Sequence, residues 1–536
     1  MNLGSAAHAV DGNGLVCTVD RRATDAGLAA LISGGSAADA AIAANAVLAV
    51  TCPHLCGMGG DLWAIVDEPG RSPVVLNAAG RAGGGVDATR LRARGDTQMP
   101  MRGDLVSVPV PGCVDGWLAL SERYGRLGLD EVFDPAMTLA TDGFAASPLL
   151  ALSAILVDHL DVDGIGAELR EGDTVRRPGV ADAMCAVARD GRDGFYQGAF
   201  GQGLLRMGAG VFTQEDLRRV NAQWFAALGL EVFGRRIWTA PPGSQGYLIL
   251  ATLHVAEALG LPDDDSDPGW FETLVAAAVV TGADRPSMLH EHADGEVLLG
   301  DSNLSRWVDA ARRWLEGPKR PLVARGDTTY LCVRDRAGMA VSLIQSNAAD
   351  YGAHLVEPAT GIYLHNRGVG FSLEPGHPAE LAPGARPPST LSPVLVTDRQ
   401  GDLVAIAGTM GGDSQPQLMA QHLSRLLHSD LEPAAVLDAP RWVLRREGGR
   451  GFDLWNDDAD ATIGLVTDRG GLDRWSDAAS ELCTRLEVES WRSPTFGHAH
   501  LIARDSDGWI GRAEPRVRES AAGVAESRAS SATPPY

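Results

Sequence analysis

From Thr328 onward the apolar and polar positions alternate with a period of two. Tyr330 to Asp335 reads as a strand, Arg336-Ala337-Gly338 as a turn, and Met339 to Gln345 as a second, apolar strand. The same spacing marks Leu62 to Val66, Pro73 to Leu76, Pro393 to Val396 and Leu403 to Ala407, with Asp398-Arg399-Gln400-Gly401 turning between the last two. Helical spacing governs much of the first half. Ser36-Ala37-Ala38-Asp39 has the form of a capping box ahead of a helix over Ala40 to Val50. Further helices are predicted at Pro178 to Ala188, Phe200 to Met207, Tyr247 to Ala258 and Trp270 to Thr281. Another runs from about Pro416, with Leu418, Leu423 and Leu426 as its apolar positions. This distribution predicts an α+β fold of four layers (helix, sheet, sheet, helix) around one core, with strands of both halves mixed. Glu374 to Pro388 reads as a long surface loop, and residues 520–536, rich in Ser, Ala, Glu and Pro, as a frayed tail. No internal repeat is present.

Composition narrows the function classes. Of the 536 residues, 45% are apolar and 21% charged, which suits a chain that buries a sizeable core. A net charge of -23 argues against nucleic acid or an anionic membrane as partner, since both call for basic patches. Met1 to Val10 has neither the cationic start nor the apolar core of a secretory signal, and no stretch has the length of a membrane span. Seven cysteines (Cys17, Cys52, Cys56, Cys113, Cys185, Cys332 and Cys483) are odd in number and irregularly spaced, the usage of reduced thiols in a cytoplasm.

Asp327-Thr328-Thr329 opens the hairpin that begins the strand-rich half. A threonine hydroxyl is a poor nucleophile without a base beside it. Cleavage of the 327–328 bond would create that base from the α-amino group of Thr328 itself. The products would be a large subunit, 1–327, and a small subunit, 328–519, followed by the tail. On the dipeptide alone, Thr-Thr is a β-prone pair at a strand start. Gly408-Thr409-Met410-Gly411-Gly412-Asp413 adds company: consecutive glycines between a strand and a helix expose N–H groups that can hold an oxyanion.

Seven stretches in order resemble the γ-glutamyltransferase family of N-terminal-nucleophile enzymes, over nearly the full length. They are Gly34 to Ala41, Pro53 to Gly60, Gly194 to Gly198, Asp327-Thr328-Thr329, Arg386 to Pro393, Met410-Gly411-Gly412 and Glu514-Pro515-Arg516. The resemblance implies an αββα sandwich built from an autocleaved heterodimer, a small-molecule substrate and no cofactor. It implies Thr328 as nucleophile, Gly411 and Gly412 as the oxyanion hole, and Ser346 as a hydroxyl supporting the nucleophile. Ser389 and Thr390 match the family's substrate-touching Ser-Ser pair.

Two departures concern the acyl group. Family members that take γ-glutamyl groups hold the α-carboxylate with an arginine in an Arg-Glu pair; here Ala79-Gly80 occupies that place and Arg81 follows. They hold the α-amino group with an aspartate three residues after Gln or Glu; Asn366-Arg367-Gly368-Val369-Gly370 puts Arg367 and Gly370 there. A cation at that point repels an ammonium. The expectation is therefore a non-standard acyl donor whose carboxylate meets Arg367 or Arg81, the alternative being that both arginines stand at a solvated rim. Three other readings remain: a glutaryl or cephalosporin-type acylase, a hydrolase of carbon–carbon bonds in secondary metabolism, and a scaffold without activity. Gly57 to Asp61 reads as a structural turn, not a nucleotide loop. The Cys52, His54, Cys56 set and the His498, His500 pair lack zinc spacing, so no metal is expected. Asp263 to Asp267 and Asp457-Asp458-Ala459-Asp460 read as solvated acidic loops.

Overall fold

The computed structural model describes residues 5–10, 12–317, 328–446, 463–482 and 486–526. Two seven-stranded sheets form its centre. The first runs Ala521–Ala525, Gly14–Thr18, Thr329–Arg334, Ala340–Ser346, Asp61–Asp67, Val74–Ala78, Gln223–Ala226. The second runs Ala6–Ala9, Gly508–Arg512, Ala499–Asp505, Leu403–Thr409, Val394–Thr397, Arg235–Thr239, Leu228–Val232. Every neighbouring pair in both sheets is antiparallel. Each sheet mixes strands from before and after position 327, as the sequence suggested, so neither half closes a sheet alone.

The period of two explains the layers. In the central hairpin, Leu331, Val333, Val341 and Leu343 face one core and Tyr330, Cys332 and Ile344 face another. The second of these lies between the sheets, where Trp63, Ile65, Leu395, Ile406 and Ile502 also pack. Ser342 ties the layers by accepting from Val394 N at 3.2 Å. Outside the first sheet lie the helices Arg21–Ile32, Ala37–Thr51, Cys113–Tyr124, Leu129–Asp142 and Pro178–Asp190. Outside the second lie Tyr247–Ala258, Pro268–Gly282, Asp301–Glu316 and Gln415–Leu427. The fold is thus the four-layered αββα sandwich.

The Ala37–Thr51 helix is buried along its whole length, with Ser36 and Asp39 completing the capping box. Its alanines let three helices and a sheet approach it closely. The other predicted helices and strands lie where the periodicity put them, within one to two residues.

Three expectations are corrected. Ala521–Ala525 is not part of a tail: it pairs with Gly14–Thr18 and is largely buried, because backbone pairing at the sheet edge supplies what Ala-rich composition hides. Residues 527–536 lie outside the described residues. Asp265 is not solvated: it is buried between Arg425, at 2.7 Å, and Arg474, at 2.9 Å. Asp457 to Asp460 lie outside the described residues. The Glu374–Pro388 stretch is a loop, but Ala379, Leu381 and Arg386 in it are buried, Leu381 in a small cluster with Leu91, Met99 and Phe371 and Arg386 donating to Asn77 O and Asn221 O. The six described cysteines are free thiols, five of them buried; Cys483 lies outside the described residues. No described helix is long and apolar enough to cross a membrane.

Candidate active site

Thr328 sits immediately before the Thr329–Arg334 strand, with a side chain buried to 1% exposure. Its Oγ1 lies 3.1 Å from Ser346 Oγ, at the far end of the paired strand Ala340–Ser346. Antiparallel register explains the meeting: Thr329 pairs with Gln345, so the preceding and following residues stand side by side. Ser346 Oγ also accepts from Ala348 N at 2.8 Å, which fixes its lone pairs and aims its proton. Asp327 lies outside the described residues.

The Gly57–Gly60 turn brings a further strand end to this place. A Cβ on Gly60 would stand 2.4 Å from Ser346 O, and one on Gly59 would stand 2.0 Å from Tyr363 O, so only glycine allows the approach. Asp61 follows at once and meets Arg367. The guanidinium Nε is 2.8 Å from Asp61 Oδ2, and both side chains are buried. Arg367 Nη1 donates to Thr390 Oγ1 at 2.9 Å. Neither sequence expectation for Arg367 anticipated this: the residue is not at a solvated rim, and much of its guanidinium is already engaged by a carboxylate of the chain itself. Asn366 steadies the loop after Ser346, accepting from Ala349 N at 3.0 Å and donating to Met101 O at 2.8 Å.

Gln245 links this group to the glycine turn. Its Nε2 donates to Thr390 O at 3.0 Å and to Gly412 O at 2.8 Å. Ser389, on the other side of Thr390, is fully buried and accepts from Leu391 N. Gly411 has φ +139° and Gly412 φ +53°, and a Cβ on Gly411 would stand 2.8 Å from Ser414 Oγ. Gly412 begins a 3₁₀ turn that Gly411 caps, so their N–H groups point out of its start without partners within the turn.

Arg81 stands apart from this chain of contacts. It donates to Gly384 O at 2.9 Å and pairs with Glu291 at 3.2 Å. Sequence reasoning missed Asp61, Gln245, Arg285 and Asp413. Asp61 carried a faint signal, as an acid closing a glycine turn; the others carried none.

A cavity of about 330 Å³ opens beside Arg367 and Thr390, with Arg285, Met99, Phe371 and His377 among its other walls. Histidines cluster near the glycine turn. Met410 N donates to His498 O, and burial together with the neighbouring His498 pushes the His54 imidazole down to about 3. Burial likewise pushes His498 down to about 4. Burial raises the thiol of Cys56 to about 12. Among the described residues no three His, Cys, Asp or Glu side chains group as metal ligands. The late Glu514-Pro515-Arg516 stretch is structural: Glu514 pairs with Arg441 at 2.8 Å and Arg516 with Asp468 at 3.1 Å, all four buried.

This geometry has relatives. The gamma-glutamyltranspeptidase family model matches residues 23–524. The glutathione hydrolase-like YwrD proenzyme of Bacillus subtilis (strain 168) is 31% identical over 525 residues, covering 94% of this chain and 97% of the relative. The oxamate amidohydrolase proenzyme of Klebsiella pneumoniae is 32% identical over 545 residues, covering 96% and 99%. The crystal structure of a cephalosporin acylase from Bacillus halodurans superposes with a TM-score of 0.85 at 28% identity, covering 99% of this chain and 97% of the acylase. With the family model matched over most of its length and the sandwich shared with the acylase, this chain is an enzyme of the gamma-glutamyltranspeptidase family.

Proposed function

We propose that the protein matures by cutting itself before Thr328 and then hydrolyses, or transfers the acyl group of, a small amide through a threonyl ester. The observation that carries this reading is the buried contact between the Thr328 and Ser346 hydroxyls at the head of the central hairpin. In maturation, Thr328 Oγ1 attacks the carbonyl carbon of Asp327. The carbon–nitrogen bond of the peptide breaks, and the proton lost by the hydroxyl ends on the new α-amino group. Water then hydrolyses the ester, leaving residues 1–327 with a carboxylate end and the second subunit beginning at Thr328. In turnover the same hydroxyl attacks the substrate carbonyl. The α-amino group takes its proton and passes it to the departing amine, while the Gly411 and Gly412 N–H groups hold the oxyanion. Water or an amine releases the acyl group. The names of the two proenzyme relatives agree with such maturation.

The acyl group differs from γ-glutamyl on this reading, because Arg367 and Gly370 stand where an acidic contact to an ammonium would be required. A second reading, acylase action on a bulkier amide, is favoured by the apolar Met99 and Phe371 walls of the cavity and by the name of the Bacillus halodurans enzyme. Mass spectrometry and amino-terminal sequencing test the core of the reading. Two polypeptides are expected, one beginning Thr-Thr-Tyr-Leu, with Thr328→Ala giving a single intact chain. A wild-type protein that stays intact overturns it. Turnover of γ-glutamyl, oxamate-like, glutaryl and α-keto amides, compared side by side, then fixes the acyl class.

A further inference from the structure

Two guanidiniums reach the cavity, and their surroundings differ. Arg367 is held by Asp61 through Nε at 2.8 Å and by Thr390 through Nη1 at 2.9 Å. Arg285 opens the short helix Arg285–Met288, next to Asp284, which anchors the segment by accepting from Trp307 Nε1 at 3.0 Å. Arg285 meets Asp413 through Nη2, at 2.8 Å, and its residue is 93% buried. Its Nε is also buried and meets no acceptor among the described residues. A buried guanidinium N–H without an acceptor is costly, and a cavity wall is where a ligand oxygen can supply one. Arg285 and Asp413 also stand next to Gly412, the residue that begins the 3₁₀ turn. A ligand seated on Arg285 would therefore lie close to the glycine turn.

We infer that Arg285 is the anion-binding residue of this cavity, and that the substrate is an amide carrying a carboxylate that completes its guanidinium. Arg367 is then a positioning residue that fixes Thr390. This deepens the reading given above and rests on it for the chemistry alone. The carboxylate meets the guanidinium from the cavity side while Nη2 keeps Asp413, a pairing that suits a planar guanidinium. Glu374, at the mouth, is exposed and solvated, so it opposes an anion weakly. The walls formed by Met99, Leu289 and Phe371 accept a short methylene chain.

Calorimetric binding of succinate and glutarate to the mature protein tests the inference, with glutaramide as the neutral control. The wild type is expected to bind a dicarboxylate and to discriminate against glutaramide. Arg285→Gln is expected to weaken the dicarboxylate about 10- to 100-fold, the span of one charge-assisted hydrogen bond, with Arg285→Lys in between. Both variants are checked for two fragments and for the wild-type melting curve; Asp413→Asn, which keeps Arg285, serves if neither folds and is expected to retain binding. Wild-type protein indifferent to both dicarboxylates, or Arg285→Gln binding as tightly as wild type, overturns the inference. Either result leaves the mass spectrum of the fragments, and so the reading of Thr328, untouched.

Discussion

Arg367 and Asp61, 306 positions apart in sequence, form a fully buried ion pair with Nε 2.8 Å from Oδ2. Removing one partner leaves an uncompensated charge in the interior, which costs about 3–5 kcal/mol. Arg367→Ala and Asp61→Ala should each lower the melting temperature clearly, and Arg367→Lys should rescue only part, since an ammonium cannot reproduce the fork. Joint replacement by apolar residues should cost less than either single change. Melting curves of the four variants check this; single variants as stable as wild type would show that the pair holds nothing in place.

Ser346 offers a test of a different kind. Its hydroxyl is fixed by Ala348 N and lies 3.1 Å from Thr328 Oγ1, so it can orient the nucleophile through a hydrogen bond without reacting itself. Ser346→Ala should slow both self-cleavage and turnover, by about 100-fold, the usual effect of losing one fixed donor. The loss should fall on kcat with KM little altered. A time course of fragment appearance on a denaturing gel, with steady-state rates on the matured fraction, separates the two. Wild-type cleavage kinetics in this variant would remove Ser346 from the proposal.

How far the sequence could be read follows from the range of the forces involved. The central hairpin is local: alternation from Tyr330, a Gly338 turn and seven apolar-rich positions suffice, and Thr328 at its head is as legible as the strand behind it. The helix Tyr247–Ala258 shows its bounds in the same way. The Asp61–Arg367 pair is not local, and nothing in either residue's neighbours encodes it. The Asp265 carboxylate looks like part of a solvated acidic run until Arg425 and Arg474 arrive from 160 and 209 positions away. Ala521–Ala525 has weak strand propensity, and only the unpaired edge of Gly14–Thr18 makes it a strand. Motif order gave the family and is the ground on which Thr328 is proposed; the wall of the cavity, built from Thr97, Arg285 and Phe371, could be assembled only in space.

Gly411 tests the oxyanion proposal through backbone strain. At φ +139° and with a Cβ position 2.8 Å from Ser414 Oγ, an alanine must either shift Ser414 or rotate the peptide. Rotation turns the N–H groups of the glycine turn away from the oxyanion. Gly411→Ala should therefore lower kcat by about 100- to 1,000-fold. Self-cleavage, which passes through the same kind of tetrahedral oxyanion, should slow with it. Undiminished turnover in a folded variant would mean that the oxyanion is held elsewhere.

The buried histidines make stability depend on pH in a defined direction. Burial, with His498 adding to it, lowers His54 to about 3, while burial lowers His498 to about 4 and His500 to about 3. In the unfolded chain each titrates near 6.5. Between those values the unfolded state binds protons that the folded state refuses, so stability rises with pH through this window and is flat above about 7. For a single imidazole moved from 6.5 to about 3, the loss between pH 7 and pH 5 is about 2 kcal/mol. Neither ring nitrogen of His54 meets a partner among the described residues, so His54→Phe removes its acid liability without stranding a hydrogen bond. Carboxylates contribute to acid unfolding in both proteins equally, and the comparison cancels them. Denaturation midpoints at pH 7 and pH 5 should fall further apart in wild type than in His54→Phe, by an amount equivalent to about 2 kcal/mol. Equal pH dependence in the two would mean that His54 is protonated as easily in the folded protein as in water.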